Sequence, residues 1–164
     1  MSAESHERVE GRPVLLLLSG PNLGLLGERQ PEIYGTATLA DHVERASKAA
    51  ESSGCELRHL QSDHESQLIA AVHGARGTVA AIVVNAGAFS HTSWALHDAL
   101  ASFEGVVVEL HLSNPDAREP WRRLSVIAPV ADGTVAGFGG LGYELAIEAA
   151  ARLVAGRSNM PGGA

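Results

Sequence analysis

Three stretches of the sequence carry side chains suited to acid–base chemistry, and each follows an aliphatic run. The first, "SGPNLGLLGERQPEIYG" (residues 19–35), holds an asparagine, an arginine and a tyrosine among glycines and prolines. The second, "NAGAFSHTS", begins at Asn85, and the third, "ELHLSNPDAREPWRR", begins at Glu109. If the aliphatic runs are parallel strands, all three stretches leave the sheet at its carboxyl edge, where open α/β sheets bind ligands. The sequence therefore predicts one site built from three loops.

The third stretch places three chemically useful side chains on one face of a strand. Glu109, His111 and Ser113 alternate with apolar residues, so the period of two points all of them the same way. Burying this trio in a core would be costly. We therefore expect a carboxylate, an imidazole and a hydroxyl to leave the strand tip together.

Other polar residues in these stretches are open to two interpretations. His91 is either a site residue or a neighbour of a helix cap, and Arg118 with Arg122 either faces the site or forms a solvated helical face. Ser90, His91 and Asp98 have the residue types of a hydrolase triad. However, the G-x-S-x-G turn that presents such a serine is absent from the sequence, which argues against a hydrolase.

The most familiar motif in the chain is better explained by packing than by ligand binding. "GFGGLG" (residues 137–142) matches G-x-G-x-x-G, but a dinucleotide site also needs a following strand with an acidic residue, and here the chain is nearly at its end. We interpret these glycines as a close approach of helix to strand. The eight histidines occur without H-E-x-x-H or C-x-x-C spacing, so no metal site is predicted.

Length and charge limit the class of protein. With 164 residues, 45% of them hydrophobic, we expect one catalytic domain over residues 13–156, between flexible tails at 1–12 and 157–164. The net charge of -7 argues against a nucleic-acid or membrane partner, so an anionic substrate would need a locally basic pocket. One cysteine suits a reducing cytoplasm, and the first thirteen residues lack the apolar segment of a signal peptide.

Short aliphatic runs alternate with helical patterns along the whole chain. The runs are "PVLLLLS", "CELRHLQ", "TVAAIVVNAG", "GVVVELHLS" and "GTVAGF". Helices are predicted over residues 39–52, 93–102 and 141–154, and a capping box of Ser62 with Glu65 predicts another that runs through Val72. This alternation is typical of a doubly wound parallel sheet. The predicted fold is α/β and flavodoxin-like, with five parallel strands and helices on both faces.

Five motifs in order resemble type II 3-dehydroquinate dehydratase: "GPNLGLLGERQPEIYG", "QSDHESQLI", "NAGAFSHTS", "ELHLSNPDARE" and "GFGGLGYELAI". The resemblance spans residues 13–153. It implies a flavodoxin-like fold, assembly as a dodecamer of trimers, and no cofactor. It also implies dehydration of 3-dehydroquinate to 3-dehydroshikimate by anti elimination through an enolate, in the cytoplasmic shikimate pathway or in quinate breakdown.

The resemblance implies five residues with catalytic roles. Tyr34 resembles the general base, and Arg29 resembles the arginine that activates it and closes with a mobile lid. Asn22 resembles the residue that, with an ordered water, stabilises the enolate. His111 resembles the general acid that protonates the departing hydroxyl, and Glu109 the carboxylate that orients it.

The resemblance also implies a substrate-binding set, which comprises Asn85, His91, Leu112, Ser113, Arg118 and Arg122. In that set the backbone amides of Leu112 and Ser113 lie near the substrate carboxylate. Arg122 and His91 lie near the ring hydroxyls.

Apart from the resemblance, the chemistry requires these residue types. Removing a proton beside a ketone needs a base, donors for the developing oxyanion and an acid for the leaving hydroxyl. A free tyrosine has a pKa of about 10, and a guanidinium about 4 Å away supplies on the order of 4 kcal/mol toward its anion. A Schiff-base mechanism would need a desolvated lysine, and Lys48 alone is available.

The alternative function is a non-catalytic flavodoxin-like module that binds a small anionic ligand or a protein partner.

Overall fold

The computed structural model describes residues 11–159 and is built on a five-stranded parallel sheet. The strands lie in the order β2-β1-β3-β4-β5, with all four neighbouring pairs parallel. This order is that of the flavodoxin-like doubly wound fold, so the fold prediction is confirmed. The bounds are β1 (Val14–Ser19), β2 (Glu56–Gln61), β3 (Ala81–Asn85), β4 (Val106–His111) and β5 (Gly133–Ala136).

Helices cover both faces of the sheet. They are α1 (Pro31–Tyr34), α2 (Leu39–Ser52), α3 (Glu65–Ala75), α4 (Trp94–Ala101) and α5 (Leu141–Ser158). Residues of α2 and α5 belong to the core on one face, and residues of α3 and α4 belong to the core on the other. Short 3-10 turns lie in the loops, including Leu23–Leu25 after β1 and Gly87–His91 after β3.

Strand β1 shows why its sequence is an unbroken aliphatic run. Leu15 and Leu17 pack toward α2 and α5, whereas Leu16 and Leu18 pack toward α3 and α4. All four are buried. A central parallel strand has no solvent face, so every position must be apolar. Burying each leucine contributes about 1.5–3 kcal/mol, which fixes β1 at the centre of the sheet.

The starts of α2 and α3 differ from each other in how they are capped. At α2, Thr38 Oγ1 accepts from the amide of Asp41, whose carboxylate accepts from the amide of Thr38, so a full capping box is present. The predicted capping box at α3 is wrong. Ser62 lies two residues before the N-cap and accepts from the amide of His64, and its own proton goes to Gln67. The carboxylate of Glu65 instead accepts from Ser93.

Helix α5 is longer than predicted and ends at Ser158. Arg157, which was assigned to the C-terminal tail, lies in this helix and donates to Asp132 at 2.6 Å. Of the two predicted tails, residues 1–10 and 160–164 lie outside the described residues. At the start of α5, a Cβ on Gly140 would lie 2.6 Å from the ring of His42, and one on Gly142 would lie 3.1 Å from Leu110. The glycine motif therefore allows close packing, as predicted.

Candidate active site

A pocket opens at the carboxyl edge of the sheet, where the loops after β1, β3 and β4 meet. Three guanidinium groups line it, from Arg29, Arg118 and Arg122, and no aspartate or glutamate of the described chain is among its lining residues. The lining is therefore basic in a chain whose net charge is -7, and one carboxylate, that of Glu119, pairs with Arg122 at 2.7 Å and with Arg118 at 3.6 Å. Its electrostatics suit an anionic ligand, as the sequence predicts.

Ten of the eleven predicted site residues line this one pocket. They are Asn22, Arg29, Tyr34, Asn85, His91, His111, Leu112, Ser113, Arg118 and Arg122. The eleventh, Glu109, is 1% exposed and contacts His111. His91, Arg118 and Arg122 all line the pocket, which is where the site interpretation of these residues expects them.

The loop after β1 is held in a tight conformation that presents Asn22. A Cβ on Gly20 would lie 2.5 Å from the carbonyl oxygen of Ala86, so only glycine fits there. Asn22 itself has φ 66°, in the left-handed region that asparagine tolerates better than most residues. The backbone amide of Asn22 donates to Asp63 Oδ1 at 2.8 Å, and Gln61 Nε2 donates to the same oxygen at 3.2 Å. Two residues at the end of β2 thus fix the backbone of Asn22.

Tyr34 lies against two arginines from different loops. Arg118 Nη1 donates to Tyr34 Oη at 2.6 Å and to Ser113 Oγ at 3.3 Å. The guanidinium carbon of Arg29 lies 5.8 Å from the centroid of the tyrosine ring, and that of Arg118 lies 5.3 Å from it. In this conformation Arg118 is the arginine that contacts the phenol oxygen, and Arg29 faces the ring.

The segment that carries Arg29 and Tyr34 is bounded by two glycines in left-handed conformations. Gly27 has φ 93° and Gly35 has φ 81°. Between them, Gln30 has φ 42°, which costs a residue other than glycine about 1–3 kcal/mol. Glycine at both ends therefore gives this segment the backbone freedom that a moving lid requires.

His111 and Glu109 form a buried acid–base pair at the end of β4. Glu109 Oε1 accepts from His111 Nε2 at 2.9 Å and from Ser125 Oγ at 2.5 Å, and Glu109 Oε2 accepts from Thr134 Oγ1 at 3.3 Å. Burial opposes the charge of Glu109. The hydrogen bonds from His111, Ser125 and Thr134 outweigh burial and hold the pKa of this carboxyl below its usual value.

His91 is fixed across the pocket from His111. Its Nδ1 lies 2.7 Å from the carbonyl oxygen of Leu124, and the centroids of the two imidazole rings are 6.5 Å apart. The ring of Trp121 meets His91 edge-on at 5.3 Å. Because the carbonyl of Leu124 occupies Nδ1 of His91, Nε2 is the nitrogen left for a ligand.

Four residues that support the site were missed from the sequence. Gln61 and Asp63 brace Asn22, and Ser125 and Thr134 bond to Glu109. For Thr134 the sequence does hold a signal. Glu109 and Thr134 are each a polar position in a largely apolar strand, and they are partners in the register of β4 with β5. Among residues 11–159, no group of three or more His, Cys, Asp or Glu side chains is arranged to hold a metal ion.

Comparison with known proteins identifies the family to which this chain belongs. A sequence model of the family "Dehydroquinase class II" matches residues 13–151 of this chain. The chain belongs to the class II dehydroquinase family. A Bacillus licheniformis protein named 3-dehydroquinate dehydratase is 53% identical over 135 residues, which are 82% of this chain and 93% of the relative. An Aspergillus terreus protein named catabolic 3-dehydroquinase 1 is 51% identical over 82% of this chain and 88% of its own.

Solved structures of the family share the fold. The crystal structure of type II dehydroquinase from Propionibacterium acnes matches with a TM-score of 0.82 and 38% identity, over 87% of this chain and 99% of that one. The type II dehydroquinase from Butyrivibrio crossotus also matches with a TM-score of 0.82, at 36% identity over 84% of this chain and 97% of that one. The predicted resemblance is thus confirmed at the level of both sequence and fold.

Proposed function

We propose that this protein is a type II 3-dehydroquinate dehydratase, a hydro-lyase that converts 3-dehydroquinate to 3-dehydroshikimate and water. The observation that carries the proposal is the joint presence, in one basic pocket, of the Tyr34–Arg118 contact and the His111–Glu109 pair. An elimination beside a ketone needs a base and an acid at separate positions, and these two pairs meet that need. Family membership over residues 13–151 gives independent support.

Tyr34 acts as the base in this proposal. Its phenolate takes the proton next to the ketone, and the electron pair moves toward the carbonyl oxygen to form an enolate. Arg118 donates directly to the phenol oxygen and Arg29 faces the ring, so both guanidinium groups are placed to stabilise negative charge on Tyr34 during the reaction. We therefore extend the activating role assigned to Arg29 to both arginines. Asn22 stabilises the enolate oxygen together with an ordered water.

His111 acts as the acid in the second half of the reaction. As the enolate collapses, the carbon–oxygen bond to the hydroxyl breaks and the imidazolium of His111 supplies the proton, so that water departs. Glu109 accepts a hydrogen bond from Nε2 at 2.9 Å and stabilises the charged ring. The opposite placement of base and acid on the substrate gives an anti elimination.

The remaining lining residues bind substrate in the proposal. The backbone amides of Leu112 and Ser113 hold the carboxylate, and Arg122 and His91 hold ring hydroxyls. Asn85 and Arg118 complete the polar contacts. Since the substrate is an anion, the three guanidinium groups of the pocket favour its entry.

A Schiff-base mechanism does not suit the only lysine. Lys48 lies on α2 with its side chain 70% exposed, and its ammonium bonds to Glu44 at 2.6 Å. A Schiff-base lysine instead needs a desolvated site in which the neutral amine can form, and an exposed side chain paired with a carboxylate lacks such a site. Lys48 is also absent from the lining of the pocket.

Assembly and location are also part of the proposal. Bulky side chains are exposed on this chain, including Trp94, Trp121, Leu124, Phe138 and Leu141. Their exposure supports a homo-oligomer, for which we propose a dodecamer of trimers that acts in the cytoplasm. Within residues 11–159, no helix combines the length and apolar character needed to cross a membrane. Size-exclusion chromatography with light scattering on the purified protein tests the assembly, and elution as a fully active 17.1 kDa monomer would contradict it.

The proposed function is tested by following the conjugated enone of 3-dehydroshikimate in the ultraviolet after addition of 3-dehydroquinate. We expect steady formation of the enone without added metal or nucleotide. A protein that binds 3-dehydroquinate without forming the enone would favour the non-catalytic module instead.

A further inference from the structure

Ser125 lies outside the lining of the pocket but contacts its acid–base pair. The serine follows the 3-10 turn of residues 120–122, and its Oγ donates to Glu109 Oε1 at 2.5 Å. That oxygen also accepts from His111 Nε2 at 2.9 Å. One carboxylate oxygen thus joins Ser125 to the imidazole that lines the pocket.

The hydroxyl of Ser125 has a fixed hydrogen-bond direction. A serine hydroxyl has one proton and two acceptor lone pairs. Two backbone amides donate to Ser125 Oγ, from Ile127 at 3.1 Å and from Ala128 at 3.0 Å. Because these amides occupy both lone pairs, the only remaining role of Ser125 toward Glu109 is to donate.

This direction determines where the proton lies between Glu109 and His111. Glu109 Oε1 receives the proton of Ser125 and cannot also carry one of its own toward His111. The carboxyl is therefore an acceptor at Oε1, and Nε2 of His111 is the donor. The nitrogen left for the pocket that His111 lines is Nδ1.

We propose that Ser125 is a positioning residue for the acid step, because it commits its single proton to Glu109 and so holds the imidazole of His111 with Nδ1 toward the substrate. Ser125 does not touch the substrate and acts only through Glu109. Thr134, whose Oγ1 donates to the other carboxylate oxygen at 3.3 Å, has a weaker form of the same role. The inference rests on the proposed function of His111 as the acid.

A double-mutant cycle tests whether Ser125 acts through Glu109. Turnover is measured for the wild type, Ser125→Ala, Glu109→Gln and the double variant. We expect Ser125→Ala to lower kcat about tenfold, as for one hydrogen bond to a charged group, with little change in KM. In the Glu109→Gln background the same change should add less than about twofold, because the partner is already altered. Equal losses in both backgrounds would overturn the inference.

Two further variants separate positioning from a general loss of structure. Ser102→Ala is the matched control, since the hydroxyl of Ser102 also donates its proton within the protein, to the carbonyl oxygen of Ala99 at 2.7 Å, but Ser102 follows the end of α4 and does not line the pocket. We expect its kcat to equal that of the wild type. Ser125→Cys keeps the branching of the side chain but is a weak donor, so it should lose about as much kcat as Ser125→Ala. A wild-type rate in Ser125→Cys would contradict the committed proton.

A second readout follows the two halves of the reaction separately. Exchange of the hydrogen beside the ketone into deuterated solvent reports the base, and enone formation reports the acid. Ser125→Ala should slow enone formation and leave exchange close to the wild-type rate, whereas equal slowing of both would point to a structural effect. If the wild type forms no enone, the proposed function fails; if the wild type is active and the cycle is additive, only the role of Ser125 fails.

Discussion

Removing the Arg118 guanidinium should separate its role from that of Arg29. Arg118 Nη1 lies 2.6 Å from Tyr34 Oη, whereas Arg29 faces the ring with its guanidinium carbon 5.8 Å from the centroid. A hydrogen bond to a charged group contributes about 1.5–3 kcal/mol, so Arg118→Ala should lower kcat by about 10- to 150-fold near pH 7. Arg118→Lys should rescue only part of this, since an ammonium lacks the planar fork of a guanidinium.

The assay is enone formation with 3-dehydroquinate at saturating and limiting concentrations. The loss in Arg118→Ala should appear in kcat at saturating substrate, because the missing hydrogen bond is one made to the base itself. The matched control is Arg123→Ala, which removes the same charge from an exposed neighbour that does not line the pocket. A normal kcat in Arg118→Ala, with a large loss in Arg29→Ala, would refute the assignment and return the activating role to Arg29 alone.

Three other predictions follow from the same geometry. His111→Ala should abolish net dehydration yet retain exchange of the hydrogen beside the ketone with solvent, and loss of both would contradict its role as acid. Borohydride added with substrate should leave the enzyme active and Lys48 unmodified, and mass spectrometry showing substrate trapped on Lys48 would refute the elimination mechanism. Burial lowers the pKa of His42, which stacks on Tyr143, so the unfolded chain takes up the proton at a higher pH than the folded protein, and stability is lost as pH falls below about 6.5. Thermal unfolding of His42→Phe should therefore show a smaller loss of stability between about pH 7 and 5 than the wild type shows, and an equal loss would contradict this.

The fold was predictable because its strongest signals are local. An unbroken aliphatic run such as residues 14–18 can be stable only where both faces are covered, which places β1 inside a parallel sheet. The start of α2 at Leu39 follows from Thr38 and Asp41, three residues apart. The capping box at Ser62 failed although the spacing was right. There the serine hydroxyl accepts from the backbone amide of His64 and donates to the side chain of Gln67, so it is not available to cap the helix at Glu65.

The membership of the site was predictable, but the contacts inside it were not. Parallel strands bring their carboxyl ends to one edge, so polar residues after β1, β3 and β4 had to converge. The partner of Tyr34 is 84 residues away in Arg118, and no spacing along the chain indicates this contact. The activating role of Arg29 was assigned through the resemblance to the family. Ser125 carries no signal either, since its role depends on two backbone amides that face it only in the folded loop.

The most direct test of the account compares the wild type with Tyr34→Phe, which removes a single hydroxyl from the pocket. With 3-dehydroquinate, the wild type should form the enone, and Tyr34→Phe should lose at least about 10²- to 10⁴-fold in kcat, the usual contribution of a general base. Binding of substrate and thermal stability should change little, since the ring and its contacts remain. Enone formation by Tyr34→Phe at a near-normal rate across pH would contradict the claim that this tyrosine is the base.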